Sequence, residues 1–499
     1  MASSKISSLV LRSSVVAALG GLLFGFDTAV ISGTTDALTN VFDLTKGQLG
    51  FTVSSALIGT ILGAATIQYP ANKWGRKPTL VLIALLYFIS AIGSAFPRML
   101  TFYAHSTTLD WASFMFFRII GGYGVGGASV VSPLYTAEIA PPKRRGFLVA
   151  LTQFNIVFGI LVAYVSNWII GCCNLGDSTW RWMFGVEAIP AFLFFVALAQ
   201  NPESPRWLVA KGRFDEALAL LKRLILDEEE ANAEFKAIQE SLVAERSQGK
   251  EVFFCWRYRK PIMLAICIAA FNQLSGINAV LYYAPMIFRV AGASKEMALQ
   301  LPMFIGLTNF VCTMIALFCI DGFGRKKLMY VGSLGYIISL AVVGIMFTVY
   351  SEQFNASIKY IEQQDAAVAL VATPDGTGET TVQAPDIPKA GIYGVLIGLI
   401  VFIAAHAFGQ GACIWVFIGE VFPNAIRAQG QALGSFTHWA LNAVVSGTFP
   451  VLLGLIGPAA VFFTFCGFMV LQLMWVAFVM PETKQIPLEE MQKKLGIID

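Results

Sequence analysis

About a dozen stretches of roughly 20 mostly apolar residues recur along this chain of 499 residues, and each is long enough to cross the hydrocarbon core of a bilayer as a helix. They lie near residues 12–33, 49–71, 78–97, 112–137, 147–170 and 183–200, then near 261–290, 298–320, 327–350, 390–418, 429–453 and 458–480. They are numbered here as spans 1 to 12. Charged residues make up 13% of the chain, against about 25% in a soluble protein. Hydrophobic residues reach 56%, with 40 phenylalanines. No single soluble core hides that much apolar surface, so lipid must solvate much of it. The expected class is an all-α membrane protein of twelve transmembrane helices.

The net charge of +3 says little, but the placement of the charges says more. One alternate set of loops holds Lys73, Arg76 and Lys77, then Lys143, Arg144 and Arg145, then the 202–260 segment, then Arg325, Lys326 and Lys327, then Arg427. The opposite loops hold far fewer, such as Lys46, Arg98 and Lys295. The positive-inside bias puts the first set, and with it both termini, in the cytoplasm. Residues 1–201 then form one half and 260–480 the other, with a charged, helix-prone cytoplasmic linker over 202–259 and a cytoplasmic tail over 481–499. The polar segment 351–389 reads as an external loop. Residues Leu9 to Ile31 lack a cleavage pattern and read as the first span, not as a signal peptide.

The two halves repeat each other. Gly75-Arg76-Lys77 follows span 2 and Gly324-Arg325-Lys326 follows span 8. Glu138 and Arg145 follow span 4 with the spacing of Glu420 and Arg427 after span 10. Pro202-Glu203-Ser204 follows span 6 and Pro481-Glu482-Thr483 follows span 12. The three offsets are 249, 282 and 279, so about 33 residues are inserted between 324 and 420, where the polar loop lies. Two pseudo-symmetric six-helix halves around a midplane site are the architecture of many alternating-access carriers. Glu138, Arg145, Glu187, Asp321, Arg325, Glu420 and Arg427 are candidates for cytoplasmic ion-pair networks that hold one conformation shut. Anchoring at the membrane surface is the alternative reading of each.

Polar groups inside the spans narrow the chemistry. Asp27 in span 1 and Arg118 in span 4 would each cost roughly 2.5–3.5 kcal/mol alone at mid-membrane, and less as partners. Burial favours a neutral carboxyl and a nearby guanidinium favours the carboxylate. A pair whose contact changes can therefore take up and release a proton; the alternative is a fixed pair that sets packing. Gln153, Asn272, Gln273, Asn278, Asn309 and Asn442 are amides within spans 5, 7, 8 and 11, with donors and acceptors suited to hydroxyls or to bonds between helices. Trp415 and Trp439 offer flat faces to a sugar ring. A break near Gly276 would bring Gln273 and Asn278 to one cavity. Three histidines, eight cysteines without metal-ligand spacing, no phosphate loop and no nucleophile constellation argue against an enzyme, a metal or a cofactor.

Taken in order, Gly25-Phe26-Asp27-Thr28-Ala29, Arg118-Ile119-Ile120-Gly121-Gly122, Pro202-Glu203-Ser204-Pro205-Arg206, Gln273-Leu274-Ser275-Gly276-Ile277-Asn278 with Tyr282-Tyr283, and Pro481-Glu482-Thr483-Lys484 resemble the sugar porter family of the major facilitator superfamily over about residues 10–490. The chain looks closest to the bacterial proton–xylose symporters and their glucose-carrying relatives. The resemblance implies the major facilitator fold and a proton-coupled monosaccharide symporter, with a facilitative uniporter and a non-transporting sensor as alternatives. It implies a monomer in the cell membrane whose partners are a small sugar, a proton and lipid, with no nucleic acid and no cofactor. By the same resemblance Phe24, Gln153, Gln273, Asn278, Asn309 and Trp415 match sugar-contacting positions, with Gly411 and Trp439 beside them. Asp27 and Arg118 match the proton-coupling pair, and Tyr282 and Tyr283 the external gate.

Several positions depart from the family pattern. Asn272 replaces a Gln, Ala412 replaces a Pro, and Asn72 replaces the acid usual before Gly75. Ile160 matches glucose carriers and favours a hexose. His438 stands where an Asn or Gln is usual. It could bond the sugar, titrate or fill space.

Overall fold

A computed structural model describes residues 7–497 apart from 101–105, 142–143, 248–251, 357–358, 361–362, 364–388, 424, 485 and 487. Most of the expected external loop therefore lies outside the described residues. The side chain of Asp321 does as well.

Eleven helical stretches among the described residues are long and apolar enough to cross a membrane. They are Ser8–Phe42, Lys46–Lys73, Arg76–Ala95, Thr107–Ile139, Arg145–Cys172, Gly176–Leu198, Trp256–Val290, Lys295–Cys319, Arg325–Val349, Lys389–Val421 and Arg427–Phe478. The last is 52 residues long and is broken only at Gly457, whose φ is +78° and which precedes Pro458. It supplies spans 11 and 12, so the total is twelve. The remaining ends agree with the apolar runs to within a few residues, except that span 1 runs on to Phe42 and spans 4, 6 and 7 begin earlier than expected. Between the halves lie the short helices Pro205–Ala210, Phe214–Leu224 and Glu228–Ser247.

Local chemistry sets several helix ends. At span 2, the Gln48 backbone N–H donates to Thr45 Oγ1 at 3.3 Å and the Thr45 N–H to Gln48 Oε1 at 2.9 Å, a reciprocal cap that satisfies two free donors. Small residues let spans meet backbone to backbone. A Cβ on Gly25 would stand 1.9 Å from the Ile156 carbonyl oxygen, and one on Gly122 1.8 Å from that of Ala56. Glycine in spans 1 and 4 thus fixes their contacts with spans 5 and 2.

The repeated motifs fold alike on the side that carries the basic loops. Arg76 donates through Nε and Nη2 to Glu138, both at 2.8 Å. Its backbone N–H donates to Glu203 Oε1 at 2.9 Å. In the second half Arg325 Nη2 donates to Glu420 Oε1 at 2.9 Å, and the Arg325 N–H to Glu482 Oε1 at 3.0 Å. Burial pushes the Glu203 carboxyl up from its ordinary range, opposed by the N–H groups of Ser204, Lys77 and Arg76. Asn72 Oδ1 still accepts from Arg76 Nη1 at 3.2 Å. Arg145 reaches Glu234 of the linker at 3.4 Å. Among the described residues, Arg427 finds no hydrogen-bond partner for its buried Nε and Nη2.

On the opposite side the halves touch directly. A Cβ on Gly50 of span 2 would be 1.9 Å from the Gly447 carbonyl oxygen of span 11. Tyr164 Oη donates to the Leu281 carbonyl at 2.7 Å. Asp36 pairs with Arg289 across the seam.

Candidate functional site

Asp27 and Arg118 form an ion pair in which each residue is 2% exposed. Arg118 Nη2 also approaches the Asp27 carbonyl at 3.4 Å, and its guanidinium lies 5.3 Å from the Phe184 ring centre. Gly121 makes room for this meeting, since a Cβ there would stand 2.3 Å from Ser90 Oγ and 3.6 Å from Asp27 Oδ1.

Glu187 is a correction to the sequence expectation. Grouped there with the acids at the basic end of the bundle, it instead lies midway along span 6. Helices Thr179–Gly185 and Ala188–Leu198 leave Val186 and Glu187 at the joint between them. The residue is 1% exposed, its Oε1 has no hydrogen-bond partner among the described residues, and it interacts electrostatically with Asp27 and Arg118. Tyr87 Oη, also buried without a partner, interacts with both carboxylates. One guanidinium therefore faces two carboxyls, so the cluster keeps a surplus negative charge unless it holds a proton. Asp27, Arg118 and Thr28 line a cavity of about 20 Å³ together with Tyr282 and Trp439 of the other half, which is room for water and not for a sugar.

The amides meet where span 7 breaks. Gly276 adopts φ +83°, splitting the span into Arg259–Leu274 and Ile277–Val290. Asn278 Nδ2 then donates back to Gln273 Oε1 at 2.8 Å, and Gln273 Nε2 donates to Asn272 Oδ1 at 2.8 Å. The same Nε2 stands 3.1 Å from His438 Nδ1 and 3.3 Å from its Nε2. Trp415 and Trp439 flank the imidazole, with ring centres at 5.2 and 4.8 Å, and Phe24 lies 5.7 Å beyond Trp439. Five of the expected residues, on spans 7 and 11 of one half, thus gather with Trp415 and Phe24.

Other expected residues stand further off. Gln153 and Asn309 lie on spans 5 and 8, whose neighbouring Phe154 and Phe310 rings pack at 5.3 Å. Asn309 Oδ1 accepts from Thr313 Oγ1 at 3.5 Å. Ile160 is buried where span 5 meets Gly25. Gly411 ends a π-helical turn, Ala407–Gly411, against the His406 ring. Tyr282 Oη accepts from Asn442 Nδ2 at 3.3 Å, and Tyr283 Oη donates to the Ser446 carbonyl at 3.0 Å.

Sequence reasoning missed a second polar layer behind that turn. Tyr336 Oη contacts His406 Nδ1 at 2.5 Å, Gln410 donates to Gln472, and Gln472 Nε2 donates to Ser333 Oγ at 2.8 Å. The signal was present as amides and a histidine inside apolar runs. The Asp36–Arg289 pair carried no such signal, because charges at span ends are cheap.

A family model described as "Sugar (and other) transporter" matches residues 13–495. The chain is 37% identical over 467 residues to the D-xylose-proton symporter of Escherichia coli strain K12, covering 89% of this chain and 86% of that one. It is 34% identical to the glucose transport protein of Synechocystis, covering 97% of each. Its fold matches the partially occluded inward-open structure of the E. coli xylose transporter XylE with TM-score 0.79 and 33% identity, over 96% of this chain and all of that one. With this fold, this pocket and these matches, the chain belongs to the sugar transporter family of the major facilitator superfamily.

Proposed function

We propose that the chain is a proton-coupled monosaccharide symporter that works by alternating access as a single polypeptide in the cell membrane. The observation that carries this reading is the buried Asp27–Arg118 pair, with Glu187 in electrostatic reach, lining a water-sized cavity together with Tyr282 and Trp439 of the other half. A proton arriving at the cluster cancels its surplus charge and loosens Asp27 from Arg118. Tyr282 and Trp439 sit between that event and the amide pocket, so the sugar site senses it. Relatives named as symporters of D-xylose, arabinose and galactose with protons support the coupling. Ile160 supports a hexose as cargo.

The basic loops face the cytoplasm in this reading, with both termini, the 202–259 linker and the 481–499 tail on that side. The contacts of Gly50 with Gly447 and of Asp36 with Arg289 then close the external end. The paired Arg76–Glu138 and Arg325–Glu420 motifs stay within their own halves and let the internal end part. A membrane potential supplies about 2.3 kcal/mol per proton per 100 mV, enough to concentrate a sugar.

Uptake into proteoliposomes, with D-glucose, D-xylose and D-galactose and with or without a pH gradient, tests this. Wild type should accumulate one of these sugars against its gradient only when a proton gradient is imposed. Asp27→Asn should lose accumulation and keep sugar exchange. Wild-type transport that never exceeds equilibration would make the protein a uniporter.

A further inference from the structure

The Gln273 amide has two N–H donors and one oxygen, and the structure assigns a use to each. The oxygen accepts from Asn278 Nδ2 at 2.8 Å, and one N–H goes to Asn272 Oδ1 at 2.8 Å. Among the described residues, the acceptor that meets the second N–H is the His438 ring, at 3.1 Å. Turning the amide over would set its N–H groups against the Asn278 donor and its oxygen against the Asn272 oxygen. With Asn278 and Asn272 oriented as they are, Gln273 keeps this orientation and the group opposite its last N–H is an acceptor.

We propose that His438 is a positioning residue: a neutral imidazole that accepts from Gln273 and so holds the Asn278–Gln273–Asn272 amide chain in its sugar-binding orientation. An imidazolium offers donors only and would face a donor. Trp415 and Trp439 fix the ring from two sides and keep its nitrogen on Gln273. The inference rests on the sugar-binding reading of the pocket and specifies how the pocket is built.

Half-saturation and maximal rate of equilibrium sugar exchange, with D-glucose and D-xylose as probes, test it in proteoliposomes. His438→Asn and His438→Gln restore an acceptor and should stay within about five-fold of wild type in half-saturation. His438→Leu leaves the Gln273 donor unmade, which costs about 1–3 kcal/mol and should raise half-saturation by roughly 5- to 150-fold with little change in maximal rate. Added to Gln273→Ala, His438→Leu should have little further effect. A leucine variant that binds as well as the asparagine one overturns the proposal, and so does a full additional loss in the Gln273→Ala background. Amide variants as poor as leucine overturn it too, since they would make ring shape the cause. If wild type exchanges neither sugar, the sugar reading itself fails; exchange that ignores position 438 defeats only this inference.

Discussion

Gly75 and Gly324, one in each half, hold the same left-handed backbone, with φ of +117° and +88°, and each faces the carboxylate of a Pro-Glu motif that follows the sixth helix of its half. A Cβ on Gly75 would stand 2.2 Å from Glu203 Oε2, and one on Gly324 2.8 Å from Glu482 Oε2. Alanine at either position meets both an unfavourable φ and a crowded carboxylate. Each substitution should cost about 1–3 kcal/mol, the Gly75 one more, and lower the midpoint of thermal unfolding in detergent. Unchanged midpoints would mean that these turns relax freely.

Glu187→Gln keeps the shape of the side chain and removes a titratable carboxyl from beside the Asp27–Arg118 pair. The remaining pair is balanced and attracts a proton less strongly. The pH optimum of sugar accumulation should move to more acidic values by roughly one unit. An optimum identical to wild type would place Glu187 outside the coupling chemistry.

At Gly50 the seam with Gly447 has no space for a side chain. Gly50→Trp should wedge the external end open, abolishing transport while leaving external sugar binding measurable by tryptophan fluorescence. Asp36→Asn removes a half-exposed ion pair from the same seam and should act in the same direction, but by only about 0.2–1 kcal/mol. Transport by Gly50→Trp at the wild-type rate would refute the closure.

Gln273→Ala deprives Asn278, Asn272 and His438 of their shared partner. Half-saturation for sugar should rise by about one to two orders of magnitude, with the Asp27–Arg118 pair and the fold intact. Loss of proton coupling in this variant, at sugar levels high enough to saturate it, would show that the two sites are not separable.

Much of this was legible in the sequence because lipid penalises exceptions. Twelve spans could be read from apolar runs, and Asp27 could be matched with Arg118 because neither is tolerable alone. The glycine between Gln273 and Asn278 announced the break that brings them together. Glu187 was misplaced because it was grouped by its charge with the acids of the basic end, whereas span 6 runs from Gly176 to Leu198 and sets it midway. The joint at Gly457 was read as a gap between spans, yet one left-handed residue suffices to turn the chain. Asp36 and Arg289 could not be paired, since nothing in a linear chain relates two span-end charges in different halves.

The acidic cluster is built from spans 1, 4 and 6, while the linked amides and the imidazole come from spans 7 and 11. In the proposed function the drive thus lies wholly in the first half, while most of the cargo site lies in the second. Substitutions that broaden or change the diet of such a protein can accumulate in its second half without retuning its energy source.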